Sequence, residues 1–79
     1  MMKTITDKGK TYTFKDEYTV NDWMMMEEVE GDTAKMAQIR MLASLSIEPK
    51  LTFDDFKSKS FRFMNKVMAE MSDVILGED

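Results

Sequence analysis

The chain contains no cysteine and no histidine. Without cysteine there is neither a disulfide framework nor a thiolate metal site, a composition that suits a reducing compartment. Without histidine the commonest general base and the commonest transition-metal ligand are missing together. Proline occurs once, and the three glycines are scattered through the chain. Neither G-x-x-x-x-G-K nor G-x-G-x-x-G is present, so no phosphate-cradling loop is available. No apolar run approaches the roughly 18 residues of a membrane span, and the opening MMKTITDKGK lacks the apolar stretch of a signal peptide. Positive charge is also in short supply: 11 Lys and Arg stand against 15 Asp and Glu, for a net charge of −4. That balance disfavours nucleic acid, whose affinity comes from neutralised phosphates. The expectation is a soluble protein of the cytoplasm with neither nucleic acid nor membrane as its partner.

What the chain does have is enough apolar residue to fold. Its 79 residues, 43% hydrophobic and 33% charged, lie in the range of a folded single domain and not of a disordered one. A domain of this size buries only about 60% of its unfolded surface, so it commonly leans on a partner or on further copies of itself. Ten methionines stand out. Methionine is flexible and polarizable, and it is over-used on surfaces that accept varied apolar partners.

Residues 2–15, MKTITDKGKTYTFK, read as a hairpin around the Asp7-Lys8-Gly9-Lys10 turn. Tyr12 and Phe14 share one face, Thr11 and Thr13 the other, and Ile5 joins the aromatics across the pair. A lone hairpin is unstable in water, so the apolar face must lie on the helices. Thr19 and Asp22 form a T-x-x-D start signal for a first helix over about 19–30, ending near Gly31. Val20, Trp23 and Met24 are expected to face inward there, with Met25 or Met26 exposed or held by a partner. Asp32 or Thr33 starts a second helix, about 33–46, with a stripe of Ala34, Ala37, Met41 and Leu45 and with Leu42 beside it. Pro49 breaks the chain, and Ile47 and Leu51 are expected to tuck back into the core. Thr52 and Asp55 repeat the capping signal for a long last helix over about 52–76, stopped by Gly77. Its stripe is Phe53, Phe56, Phe63, Val67, Met71 and Val74, widened by Met64, Met68 and Ile75. Over twenty helical residues would span about 35 Å. The fold class is therefore α+β: an N-terminal β-hairpin packed on a three-helix array with a long C-terminal helix.

Catalytic patterns are missing. The paired carboxylates Asp54-Asp55 and Glu27-Glu28 are adjacent on helices and so do not converge. The serines have no histidine to activate them and no G-x-S-x-G or S-x-x-K context. The Glu27–Asp32 segment lacks the alternating pattern of a calcium loop. No enzyme, cofactor or metal site is expected. What remains are surfaces. Lys59, Arg62 and Lys66 form one basic stripe, expected to be solvated and paired as Asp55–Lys59 and Lys66–Glu70. The candidate partner-binding residues are Trp23, Met25, Met26, Phe61, Met64, Met68 and Met71, because aromatic and methionine side chains are enriched at interfaces.

The run Ile5-Thr6-Asp7-Lys8-Gly9-Lys10-Thr11-Tyr12-Thr13-Phe14, followed by Thr19-Val20-Asn21-Asp22-Trp23, resembles the opening of small tail assembly chaperones of tailed bacteriophages and prophages. Leu51-Thr52-Phe53-Asp54-Asp55-Phe56 is similar to the start of their last helix. The likeness covers about 20 residues in detail, and the Met24-Met25-Met26 run has no counterpart in it. What the resemblance implies is a non-enzymatic chaperone in the host bacterial cytoplasm. Such a chaperone binds the apolar-rich tape measure protein, with the tail tube protein as a further candidate partner, and keeps it soluble during tail assembly. From the residues alone, an over-wide apolar stripe exposed to water also makes self-association expected. The competing expectation is a small structural or regulatory homo-oligomer of phage or bacterial origin that closes its own Met/Phe interface.

Overall fold

A computed structural model describes residues 2–77 of the chain. The N-terminal hairpin forms from β1 (Lys3–Asp7) and β2 (Lys10–Phe14), with Ile5 opposite Tyr12 and Thr4 opposite Thr13. Lys8 and Gly9 make the two-residue loop, and both have positive φ, 51° and 77°. That is the backbone a tight hairpin turn requires, and it is why glycine sits at the second position. The strand period of two puts Ile5 and Asp7 on one face with Tyr12 and Phe14, all of them buried.

A connector leads to α1 (Val20–Met25), which is capped as its sequence requires. The Thr19 hydroxyl accepts from the Asp22 N–H, and the Asp22 carboxylate accepts from the Thr19 N–H, both at 3.0 Å. The helix stops after six residues, short of the expected 30, because Met26 turns to an extended conformation. Three glutamates follow at the end where the helix dipole disfavours negative charge, and the last turn of the helix carries no basic residue.

Next comes α2 (Ala34–Ser44), capped by the Thr33 hydroxyl. Its buried residues are Leu42 and Ala43, followed by Leu45. The expected Ala34–Ala37–Met41 stripe is displaced: Ala34 is exposed, and Ala37 and Met41 are half-buried. A short third strand, β3 (Ser46–Glu48), then pairs antiparallel with β2, giving the order β1-β2-β3. It was not expected from the sequence, since three residues beside a proline carry no strand pattern of their own. Ser46 fixes the corner: its hydroxyl donates to the Ala43 carbonyl at 2.6 Å and accepts from the Leu51 N–H at 2.8 Å. Leu51 is thereby buried, whereas Ile47, expected inside, lies on the outward side of β3 and is exposed.

The last helix is two. α3 (Phe53–Lys57) carries the Thr52–Asp55 capping box, and α4 (Phe61–Leu76) begins afresh with the Ser60 hydroxyl accepting from the Phe63 N–H. Serine competes with the backbone for such bonds, and two serines around Lys59 are enough to end one helix and start another. α4 at 16 residues is about 24 Å long, not 35 Å. It ends at Gly77 in the left-handed conformation. Phe63, Val67, Met71 and Val74 recur at i, i+4, i+8 and i+11 and face the hairpin. Tyr12 and Phe56 both meet the Phe63 ring edge-on, with centroids 4.8 and 5.5 Å away. Among the described residues no helix is long and apolar enough to cross a membrane.

Arg62 and Lys66 of the basic stripe are exposed, but their charged ends are tied to the hairpin. Arg62 Nε and Lys66 Nζ converge on one oxygen of the buried Asp7 carboxylate, at 3.2 and 3.4 Å, and Lys66 also donates to the Thr6 carbonyl at 2.8 Å. Lys59 donates to the Tyr12 hydroxyl at 3.1 Å. These bonds tie the helix to the hairpin in place of the expected Asp55–Lys59 and Lys66–Glu70 pairs. Burial alone pushes the Asp7 carboxyl up, but the bonds from Lys66 and Arg62, and their charges, outweigh it and hold its pKa below the ordinary 3.8. Asp22 is held down at about 2, chiefly by its bond from Lys15 at 2.6 Å and by the Thr19 N–H. A depressed carboxylate pKa gives stability that is present above the unfolded value and lost as pH falls through the folded one. The thermal midpoint is therefore expected to hold steady above about pH 4 and to fall between about pH 4 and pH 2. Asp7→Asn is expected to lower the midpoint at neutral pH and to flatten that acid slope; calorimetry across the pH series checks both.

Candidate protein-binding surface

Among the described residues, twelve buried hydrophobic ones close a core from the hairpin, the stretch Leu42 to Leu51, α3 and α4. Several large apolar side chains take no part in it. α1 has no buried residue at all: Trp23 is 59% exposed, Met25 77%, and Val20 and Met24 are exposed as well. This overturns the inward placement expected for Val20, Trp23 and Met24. The reason is topological: α4 covers the hairpin's apolar face and α2 packs on α3 to close the rest of the core, so a six-residue helix following the hairpin finds no core left to join. The chain on either side holds α1 in place. Tyr18 before it packs against the core with its hydroxyl buried and unpaired. Asp32 after it accepts from Arg40, whose guanidinium also lies over the Phe53 ring at 4.1 Å.

A second apolar surface opens where the two final helices meet. Phe61 is the first residue of α4 and is 82% exposed. Phe63, two residues on and about 200° round the helix, is fully buried. Phe61 stands at the mouth of a groove of about 370 Å³ between α2 and the α3–α4 junction. Ile39, Phe56 and Met64 line it together with Phe61, and Lys35, Lys57 and Lys59 contribute cationic groups. The groove has a simple origin. Lys35, Ile39, Leu42 and Leu45 follow one another along the same side of α2. Leu42 and Leu45 are buried, whereas in the first half of the helix Ile39 is only half-buried at the edge of the core and Lys35 is exposed.

The seven expected partner-binding residues thus fall into three groups. Phe61, Met64 and Met68 lie along α4 at i, i+3 and i+7; Met64 and Met68 are half-buried, and Met68 sulfur accepts from Gln38 Nε2 at 3.4 Å. Trp23 and Met25 are on α1, and Met26 is half-buried beside a separate cavity lined by Arg40, Leu51 and Phe53. Met71 must be withdrawn from the surface: it is fully buried between α4 and the sheet, four residues beyond the buried Val67. Lys35, Gln38 and Ile39 of α2 were not singled out from the sequence. The one available signal was that the α2 stripe continues past the residues a small core can cover.

Of the paired carboxylates, Asp54 and Asp55 have structural partners. Asp55 caps α3 through the Thr52 N–H at 3.1 Å, and Asp54 pairs with Lys57 across one turn. Comparison of the chain with protein-family models, with curated proteins and with solved structures gives no match.

Two phenylalanines two residues apart should therefore respond in opposite ways. Phe63→Ala is expected to destabilise the fold by about 3–5 kcal/mol. Phe61→Ala and Met25→Ala should each leave stability within about 0.5 kcal/mol of the parent. Urea unfolding of the three variants makes the comparison, and a large loss for Phe61→Ala would place that ring in the core.

Proposed function

We propose that this protein is a non-enzymatic binding module that holds an apolar, amphipathic helical segment of another protein. In the reading its sequence resemblance implies, it is a phage tail assembly chaperone that keeps the tape measure protein soluble. The observation that carries the binding role is the surplus of large apolar side chains outside a core that is complete without them. Trp23, Met24, Met25 and Phe61 are all exposed, on a protein whose own packing has no use for them. Side chains of this size left in water mark contact surfaces, because their burial elsewhere stabilises by about 1.5–3 kcal/mol each. The groove beside Phe61 has the form that accepts one face of a helix, and methionine at its wall adapts to varied occupants. The name of the partner rests on the hairpin and helix-start resemblance alone.

Co-expression with a tape measure segment, followed by sedimentation, tests the reading. A soluble mixed complex is expected, and Phe61→Ala combined with Trp23→Ala is expected to weaken it at least about tenfold. A segment that stays insoluble in the presence of this protein would end the chaperone reading. If the protein instead sediments as a tight homodimer indifferent to the segment, the same surface belongs to a structural or regulatory oligomer.

A further inference from the structure

We infer that the α1 segment of one copy docks into the Phe61 groove of a second copy, so that the protein self-associates through two different surfaces. The two surfaces complement each other in both polarity and charge. The groove is apolar at its walls and basic in its charged lining: Lys35, Lys57 and Lys59 contribute to it, and no acidic residue does. Lys35 makes no ion pair among the described residues, and Lys57 has only the exposed Asp54 one turn away at 3.6 Å. The α1 segment is the converse, apolar and acidic. Trp23, Met24 and Met25 stand in solvent, and Glu27, Glu28 and Glu30 follow directly, all exposed. Glu28 and Glu30 make no ion pair among the described residues, and Glu27 reaches only Arg40, at 4.0 Å. Trp23 with Met24 beside it on the helix, entering an apolar groove while carboxylates meet lysines at the edge, combines burial with a charge match that fixes orientation.

The same molecule cannot supply both halves. α1 is held at its start by the Thr19–Asp22 cap and the Lys15–Asp22 ion pair, and beyond its end by Asp32 on Arg40. Met25 and Met26 share a cavity with Arg40, Ala43 and Ser44, whereas the groove takes Lys35, Gln38 and Ile39. The groove set comes from the first half of α2 and the other set from its second half, so the two sites are separate places along the helix. A contact between two unlike surfaces is heterologous: each copy keeps one surface free after the first contact, and growth continues to a ring or a chain unless the geometry closes. Self-docking of this kind is independent of any tape measure partner and is tested with none present.

The test uses two full-length variants, Phe61→Asp in the groove and Trp23→Ser with Met24→Ser on α1, in analytical ultracentrifugation at concentrations up to about 1 mM. The parent is expected to form species beyond a dimer, less so as salt is raised. Each variant alone should associate about thirtyfold more weakly or worse. An equal mixture should form a 1:1 dimer and stop there, because one intact groove and one intact α1 segment remain. A second pair guards against misfolding: Lys35→Glu with Lys57→Glu, mixed with Glu28→Lys and Glu30→Lys, should likewise associate better than either alone. A monomeric parent would overturn the inference. So would mixtures that behave as the sum of their components while the parent associates, since that is the behaviour of a patch pairing with its own copy.

Discussion

The apolar face of the hairpin has to be covered, and α4 is the element that covers it. Two strands cannot hold their shape in water unless one face is packed. Here Ile5, Tyr12 and Phe14 present that face, and Phe63, Val67, Met71 and Val74 fill it. The packing is directional because its edge is charged. Asp7 lies on the buried side of β1, where an unpaired carboxylate would be costly, and Arg62 and Lys66 reach it from α4. Lys3 reaches Asp73 near the other end of the same helix. Sliding α4 along the sheet would separate these pairs, so the salt bridges set the register while the apolar contacts supply the bulk of the stabilisation.

Once α4 is fixed on the hairpin, the positions of the other elements follow. β3 adds to the free edge of β2 because α2 ends at Leu45, whose carbonyl accepts from the Lys15 N–H at 2.9 Å. The corner at Ser46 returns the chain to α3, which seats Phe56 against Phe63. The break at 58–60 then turns the first residue of α4 outward. A continuous helix through these residues would have carried Phe61 on a plain cylinder. The break places it instead at the junction of three elements, beside the first half of α2, and the groove results.

Local signals in the sequence were read well where the physics is local. The Lys8-Gly9 turn, the Thr19 and Thr52 capping boxes, the Thr33 cap and the Gly77 stop each depend on residues within a few positions of one another. The same holds for the alternation that puts Ile5, Tyr12 and Phe14 on one face, and for the helical spacing of Phe63 to Val74. Phe61, Met64 and Met68 could be named as surface candidates because they lie to one side of that stripe. Met71 could not be told from them by type. Only its spacing from Val67 marked it as buried.

What the sequence determined by itself was the α+β class, the hairpin, the starts of α1, α2 and α3 and most of the core of α4, since these follow from side-chain period and backbone capping. Tertiary structure alone decided which apolar residues were left over. Val20, Trp23 and Met24 look like an inward face until α4 and α2 have taken the space. Arg62 and Lys66 look like part of a solvated stripe until Asp7, 55 and 59 residues away in the chain, is brought to them, and Lys59 until the Tyr12 hydroxyl is; β3 exists only because β2 has an edge to pair with. Exposure is a property of the whole packing arrangement, because a side chain is buried only if another element has not already filled its place. The surface through which this protein is proposed to act is what that competition leaves uncovered.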